Sequence, residues 1–218
     1  MKKRINVILF FMLLVISNLH AQVPGRLITL NKGYFKVKWS REAQYPIKVS
    51  WQMTFDMAYC PIARLNMHFV KDPELPSTNH LSVDYVDNVY LFGRNFNVEY
   101  DCKKETVISA GYYYTNVTLI CFGLYYGPWK KLIIKSKEWL RTEGQLTFAC
   151  GSFGKLKTTG SANVWVPTHC WKVIKHKDGH VDAYLFPNDD TIGLNDDLTI
   201  FQITHKSLED RLGFSVFK

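Results

Sequence analysis

Beyond its N-terminal segment, this 218-residue chain has no long apolar run. A membrane helix needs about 20 consecutive apolar residues, so the body of the chain is expected to be soluble. It has no internal repeat and no low-complexity linker. No cysteine follows the N-terminal apolar stretch, which argues against a lipid anchor. The five cysteines (Cys60, Cys102, Cys121, Cys150 and Cys170) match no zinc-site spacing. Their number is odd, so at least one thiol stays free or pairs between chains. Cys121 and Cys150 have apolar neighbours and read as small core residues.

What the chain does have begins at its first residues. Lys2, Lys3 and Arg4 precede an apolar stretch from Ile5 to Ile16, and Ala21 follows shortly after. A basic start, a short apolar run and a small residue make a secretory signal peptide over residues 1–21, of bacterial style. A retained anchor is the alternative. The expectation is an exported protein, periplasmic or secreted, and all five cysteines would then sit where disulfides can form. Residues 22–218 fit one domain. The net charge of the whole chain is +8. Loss of the three leader cations would leave about +5, mildly basic and compatible with nucleic acid or another anionic surface.

Periodicity gives a coarse map. Tyr34–Trp39 and Ile47–Thr54 read as strands broken at Tyr45-Pro46. Asp56 to Gly93 reads mostly as loop, Cys102–Ala110 as a short helix, and Tyr112–Val117 as a strand. Gly127-Pro128-Trp129 opens the clearest helix, because proline suits the first helical position. Trp129, Leu132, Ile133, Ser136 and Leu140 share one face, and Gly144 is a natural stop. Strands follow at Leu146–Cys150, Val164–Val166, Cys170–Lys175, Val181–Phe186 and Leu198–Thr204, then a helix over Lys206–Leu212. Strands and a few helices without strict alternation make an α+β chain.

Several short motifs, in order, resemble the DNA/RNA non-specific endonucleases, the ββα-metal group that includes mitochondrial endonuclease G. Ser40-Arg41 with Pro46 and Val49 resembles the family's opening hairpin, and Phe69-Val70-Lys71-Asp72-Pro73 its loop ending in Asp-Pro. Asp84-Tyr85 resembles the pair before its catalytic strand, and Tyr113-Tyr114-Thr115-Asn116-Val117 the strand after it. Gly127 and Trp129 stand at the family's distances from Asn116. Val166 to Ile174 is similar to the late proline-containing strand, and Ser207 to Phe214 with Phe217 to the closing helix and last strand. The resemblance implies a single ββα-metal nuclease-like domain: a central mixed or antiparallel sheet flanked by helices.

The resemblance also implies a catalytic set, and this chain departs from it. Family enzymes use Asp-Arg-Gly-His, whose histidine activates water. Here the stretch is Leu91-Phe92-Gly93-Arg94, and Arg94 stands where the histidine belongs. Arginine stays protonated at neutral pH and cannot serve as a base. The metal-binding asparagine is replaced by Tyr125, a poor ligand for a hard cation. The glutamate that supports the metal's water is replaced by Ile133. Lys137 keeps a basic residue where the family contacts phosphate, whereas the arginine ahead of Asp-Pro is Met67, with Arg64 nearby.

A lapsed enzyme follows, with no cofactor expected. Arg94, Lys130, Lys131, Lys135 and Lys137 form a candidate basic rim for a DNA or RNA backbone, against the plainer reading of a solvated helix face. Tyr125, Ile133, Phe92 and Met67 are expected to converge where metal and phosphate sit in the family. They either fill the cleft or line an apolar pocket. A protein partner, such as an active relative, is a further possibility. The alternative is an active, divergent Mg²⁺-dependent endonuclease whose chemistry has moved to His68, His80, Asp72 and Asp84. His169 reads as a core or edge histidine, and His176 and His180 as flanks of a hairpin turn.

Overall fold

A computed structural model describes residues 25–58, 68–75, 90–96 and 105–218. Residues 1–24, which include the stretch read as a signal peptide, and Cys60, Arg64, Met67, His80, Asp84 and Cys102 lie outside the described residues.

The chain builds β1 (Leu27–Asn31), β2 (Phe35–Ser40), β3 (Pro46–Thr54), α1 (Phe55–Ala58), β4 (Tyr90–Arg94), α2 (Glu105–Gly111) and β5 (Val117–Cys121). Then come α3 (Phe122–Leu124), α4 (Lys130–Glu143), β6 (Gln145–Phe153), β7 (Lys157–Thr159), β8 (Val164–Val166), β9 (His169–Lys175), β10 (Val181–Pro187), β11 (Gln202–Ile203) and α5 (His205–Leu212). Among the described residues, seven strands form one sheet in the order β1-β2-β3-β6-β9-β10-β11. Every pairing in it is antiparallel, so the sheet is not mixed. β4 pairs with β5, and β7 with β8, apart from it.

Alternation along the strands gives each face its own core. Phe35, Trp51, Phe148, Cys150, Ile174 and Tyr184 belong to one buried cluster with Leu132 and Leu140 of α4 and the β4–β5 pair. Ala149, Trp171, Val173 and Ala183 join Leu208 and Leu212 of α5 in a second. Gly144 and Gly213 end α4 and α5 in the left-handed conformation, which glycine adopts without strain.

The structure departs from the sequence expectation at four places, and at two of them local hydrogen bonding sets the backbone. β1 was not apparent in the sequence. The stretch from Tyr112 is not a strand until Val117: Tyr113 N–H donates to the Ala110 carbonyl, and Tyr114–Asn116 is a 3-10 turn. Leu198–Phe201 is a 3-10 turn because the Asp197 carboxylate accepts from both the Thr199 N–H and its hydroxyl. No strand follows α5.

Candidate functional site

The site is built at the start of α4, where the chain does not enter the helix smoothly. Tyr125–Trp129 forms a π-turn in which Gly127 is non-helical, at φ −94° and ψ −113°. Two glycines press this segment against the loop that carries Ile192 and Gly193. A Cβ on Gly123 would lie 2.0 Å from the Ile192 carbonyl oxygen, and one on Gly127 would lie 2.9 Å from that of Gly193. Lys131 clamps the same junction by donating from Nζ to the Asp196 carbonyl at 2.9 Å, while the Asp196 carboxylate accepts from the Gly193 N–H at 2.8 Å.

The opposite wall comes from β4. Its pairing with β5 sets Arg94 across from Val117. Behind it lies a buried amide network. The Asn95 side-chain amide donates to the Asn116 carbonyl and the Thr118 hydroxyl. The Asn116 amide donates to the Phe96 and Gly111 carbonyls, and its oxygen accepts from the Phe96 N–H. Phe96 stacks on Phe35 with ring centres 4.3 Å apart. The Arg94 guanidinium lies 4.7 Å from the centre of the Tyr112 ring.

Between these walls is a cleft of about 200 Å³ lined by Arg94, Tyr125, Tyr126, Trp129, Lys130, Ile133, Ile134 and Lys137. The positions that the sequence pattern sets in the place of base, metal ligand and metal support therefore meet in one cavity. Lys130 and Lys137 are on its rim; Lys131 is drawn away to Asp196. Lys135 stands over Trp139 instead, 4.9 Å from its ring centre. Phe92 is not among the lining residues; it packs beside Phe69 and Tyr114 at 5.3 and 6.1 Å between ring centres.

Sequence reasoning passed over Tyr126, Ile134 and Lys172. The first two were legible in the Tyr-Tyr-Gly-Pro-Trp and Ile-Ile runs but had no family role to draw attention to them. Lys172 is 3% exposed, and its ammonium lies 4.1 Å from the centre of the Trp129 ring, beneath the cleft. Burial lowers its pKa to about 8, against an opposing influence from Cys150.

A divalent cation of the kind the family resemblance implies does not fit this cavity. Its described lining offers a phenol pair, an indole, two isoleucines and three cations, with no carboxylate, imidazole or amide side chain. Hard cations take oxygen ligands, usually carboxylates and carbonyls. Among the described residues, no group of three or more His, Cys, Asp and Glu is placed to hold a metal.

The remaining candidates have other partners. Asp72 is fully buried; it holds Lys32 at 2.7 Å and accepts from the Thr115 hydroxyl, so it ties the loop at residues 68–75 to the body of the fold. His68 is exposed. His169 stacks on Phe153 at 5.0 Å, and burial, followed by the Arg211 charge, lowers its pKa. His176 bridges Glu143 at 2.7 Å and Asp182 at 3.0 Å, joining the end of α4 to the β9–β10 hairpin. Cys121, Cys150 and Cys170 are free and buried; burial pushes the latter two thiols up to about 12.

Comparison with known proteins agrees with this architecture. The family model for DNA/RNA non-specific endonucleases matches residues 16–218. A chain in the crystal structure of the EndoG/EndoGI complex superposes with a TM-score of 0.77 at 20% identity, over 87% of this chain and 85% of that one. No curated protein matches. The chain belongs to the DNA/RNA non-specific endonuclease family.

Proposed function

We propose that this protein is an exported, non-catalytic member of its family that holds a nucleic-acid backbone at the Arg94–Lys137 cleft. The observation that carries the reading is the meeting of Arg94, Tyr125 and Ile133 in one cavity with Lys130 and Lys137 on its rim. Hydrolysis of a phosphodiester needs an activated water and stabilisation of the charge that builds on phosphorus. A guanidinium that never deprotonates cannot take the proton from water. A phenol and an isoleucine side chain offer no substitute for the metal ligand and for the group that supports the metal's water. What remains is a set of cations suited to phosphate: Arg94 as a planar fork, Lys130 and Lys137 as point charges, and Lys172 adding a positive field from below.

The leader at residues 1–21 supports export, which would place the protein among extracellular or periplasmic polyanions. Three phosphate contacts give a logarithmic salt slope of roughly −2 to −3. The reading is tested by oligonucleotide binding in EDTA across a salt series, for the wild type and a Lys130→Gln/Lys137→Gln variant. Binding that survives EDTA, weakens with salt and falls in the variant supports it. Absence of binding at low salt refutes it.

A further inference from the structure

We propose that the cleft selects single-stranded nucleic acid by stacking an unpaired base on Tyr126; this rests on the backbone-binding reading above. Tyr126 is 47% exposed, Phe122 49% and Ile134 50%. They gather at one place. Tyr126 and Ile134 both line the cavity, and Phe122 lies 4.7 Å from Tyr126 between ring centres. Tyr125 meets Tyr126 edge-on at 4.9 Å, and the Tyr126 side chain still keeps nearly half of its surface open to a ligand. The close approach of Gly123 and Gly127 to the loop at Ile192 and Gly193 backs this platform with packed main chain.

Ring and charge meet in the cavity. Lys130, Ile134 and Lys137 succeed one another at four- and three-residue spacing on α4 and so share one wall, and Tyr126, in the π-turn ahead of the helix, lines the same cavity. Lys130 and Lys137 are about 10 Å apart along the helix, at 1.5 Å per residue. A base seated against Tyr126 would then have Lys130 and Lys137 on the same cavity lining for its neighbouring phosphates. Interleaved rings and cations are how proteins hold single strands without reading sequence, because every base has a π-face. A duplex keeps its bases stacked on one another and offers the cleft only edges and phosphates. A cavity of about 200 Å³ also suits one base rather than the width of a double helix.

Fluorescence anisotropy with three 15-residue oligonucleotides in EDTA tests the proposal: a single strand, its duplex, and an abasic strand of the same length. The wild type is expected to bind the single strand about tenfold more tightly than the other two. Tyr126→Ala is expected to erase that preference while leaving abasic binding intact, and Tyr126→Phe to keep it. Tyr126 is half-exposed, so an unchanged thermal midpoint separates lost stacking from lost folding. Equal affinity for all three strands, or no effect of Tyr126→Ala on the preference, overturns stacking and leaves backbone binding standing. Failure to bind any of the three overturns both.

Discussion

Replacing Lys172 by methionine is expected to stabilise the protein at neutral pH, although it removes a polar group from the base of the cleft. Lys172 is 3% exposed, and burial lowers its pKa from 10.5 to about 8. Below pH 8 the folded and unfolded chains both carry the proton, and the cost of burying the charge is fully present. Between about pH 8 and 10.5 the unfolded chain keeps a proton that the folded chain has released, so this residue makes stability rise with pH. The shift corresponds to about 3 kcal/mol at 1.36 kcal/mol per pKa unit. Attraction between the ammonium and the Trp129 face, lost in the variant, offsets about 1 kcal/mol. Methionine keeps the apolar stem against the indole. The net expectation is a gain of about 2 kcal/mol at pH 7 that shrinks towards zero above pH 10.5. Buried Cys170, Tyr45 and Tyr184 also titrate in alkali in both proteins, and Cys150, which is coupled to Lys172, stays a thiol in the folded wild type up to about pH 12, so the difference below that pH reports Lys172. Urea denaturation of both proteins from pH 6.5 to 11 measures it. A variant less stable than the wild type at pH 7, or a difference constant across the range, would refute the reasoning.

Three further outcomes are expected. Asp72→Asn leaves the buried Lys32 ammonium with the exposed Glu74, at 2.6 Å, as its charged partner and should cost about 3 kcal/mol in urea denaturation; a cost under about 1 kcal/mol would mean that the pair is not a tether. Gly123→Ala drives a methyl into the Ile192 carbonyl and should cost about 2–3 kcal/mol while also weakening nucleic-acid binding, because the platform rests on that contact; unchanged stability by the same method contradicts the clamp. Cys121, Cys150 and Cys170 should resist a thiol reagent in the native protein and react on unfolding, and rapid native labelling of any of the three, mapped by mass spectrometry, would show that its burial is transient.

Much of this molecule was legible from spacing. Gly144 and Gly213 marked both helix ends, since only the left-handed turn closes those helices without strain. The count from Asn116 through Trp129 to Ile133 placed Tyr125 and Ile133 together, because an ungapped run through α4 leaves little freedom. Arg94 was harder. Its direction depends on the β4–β5 register and on the Asn95–Asn116 network, long-range pairings that a single sequence does not display. Lys131 and Lys137 look alike in sequence, yet the carbonyl of Asp196 claims only the first. Three of the misread stretches share a cause: at Asp197, Asn116 and Gly127 a side chain or a missing one redirects the backbone within a β-rich or helix-like stretch.

The central claim is that the scaffold has outlived its chemistry, and cleavage tests it most directly. Purified residues 22–218 would be incubated with supercoiled plasmid and with RNA, at low salt, in Mg²⁺, Mn²⁺ or EDTA. The account predicts intact substrate in every condition. Nicking or degradation that requires the metal and disappears in EDTA would contradict it, and would mean that this chain still hydrolyses phosphodiesters through residues other than Arg94, Tyr125 and Ile133.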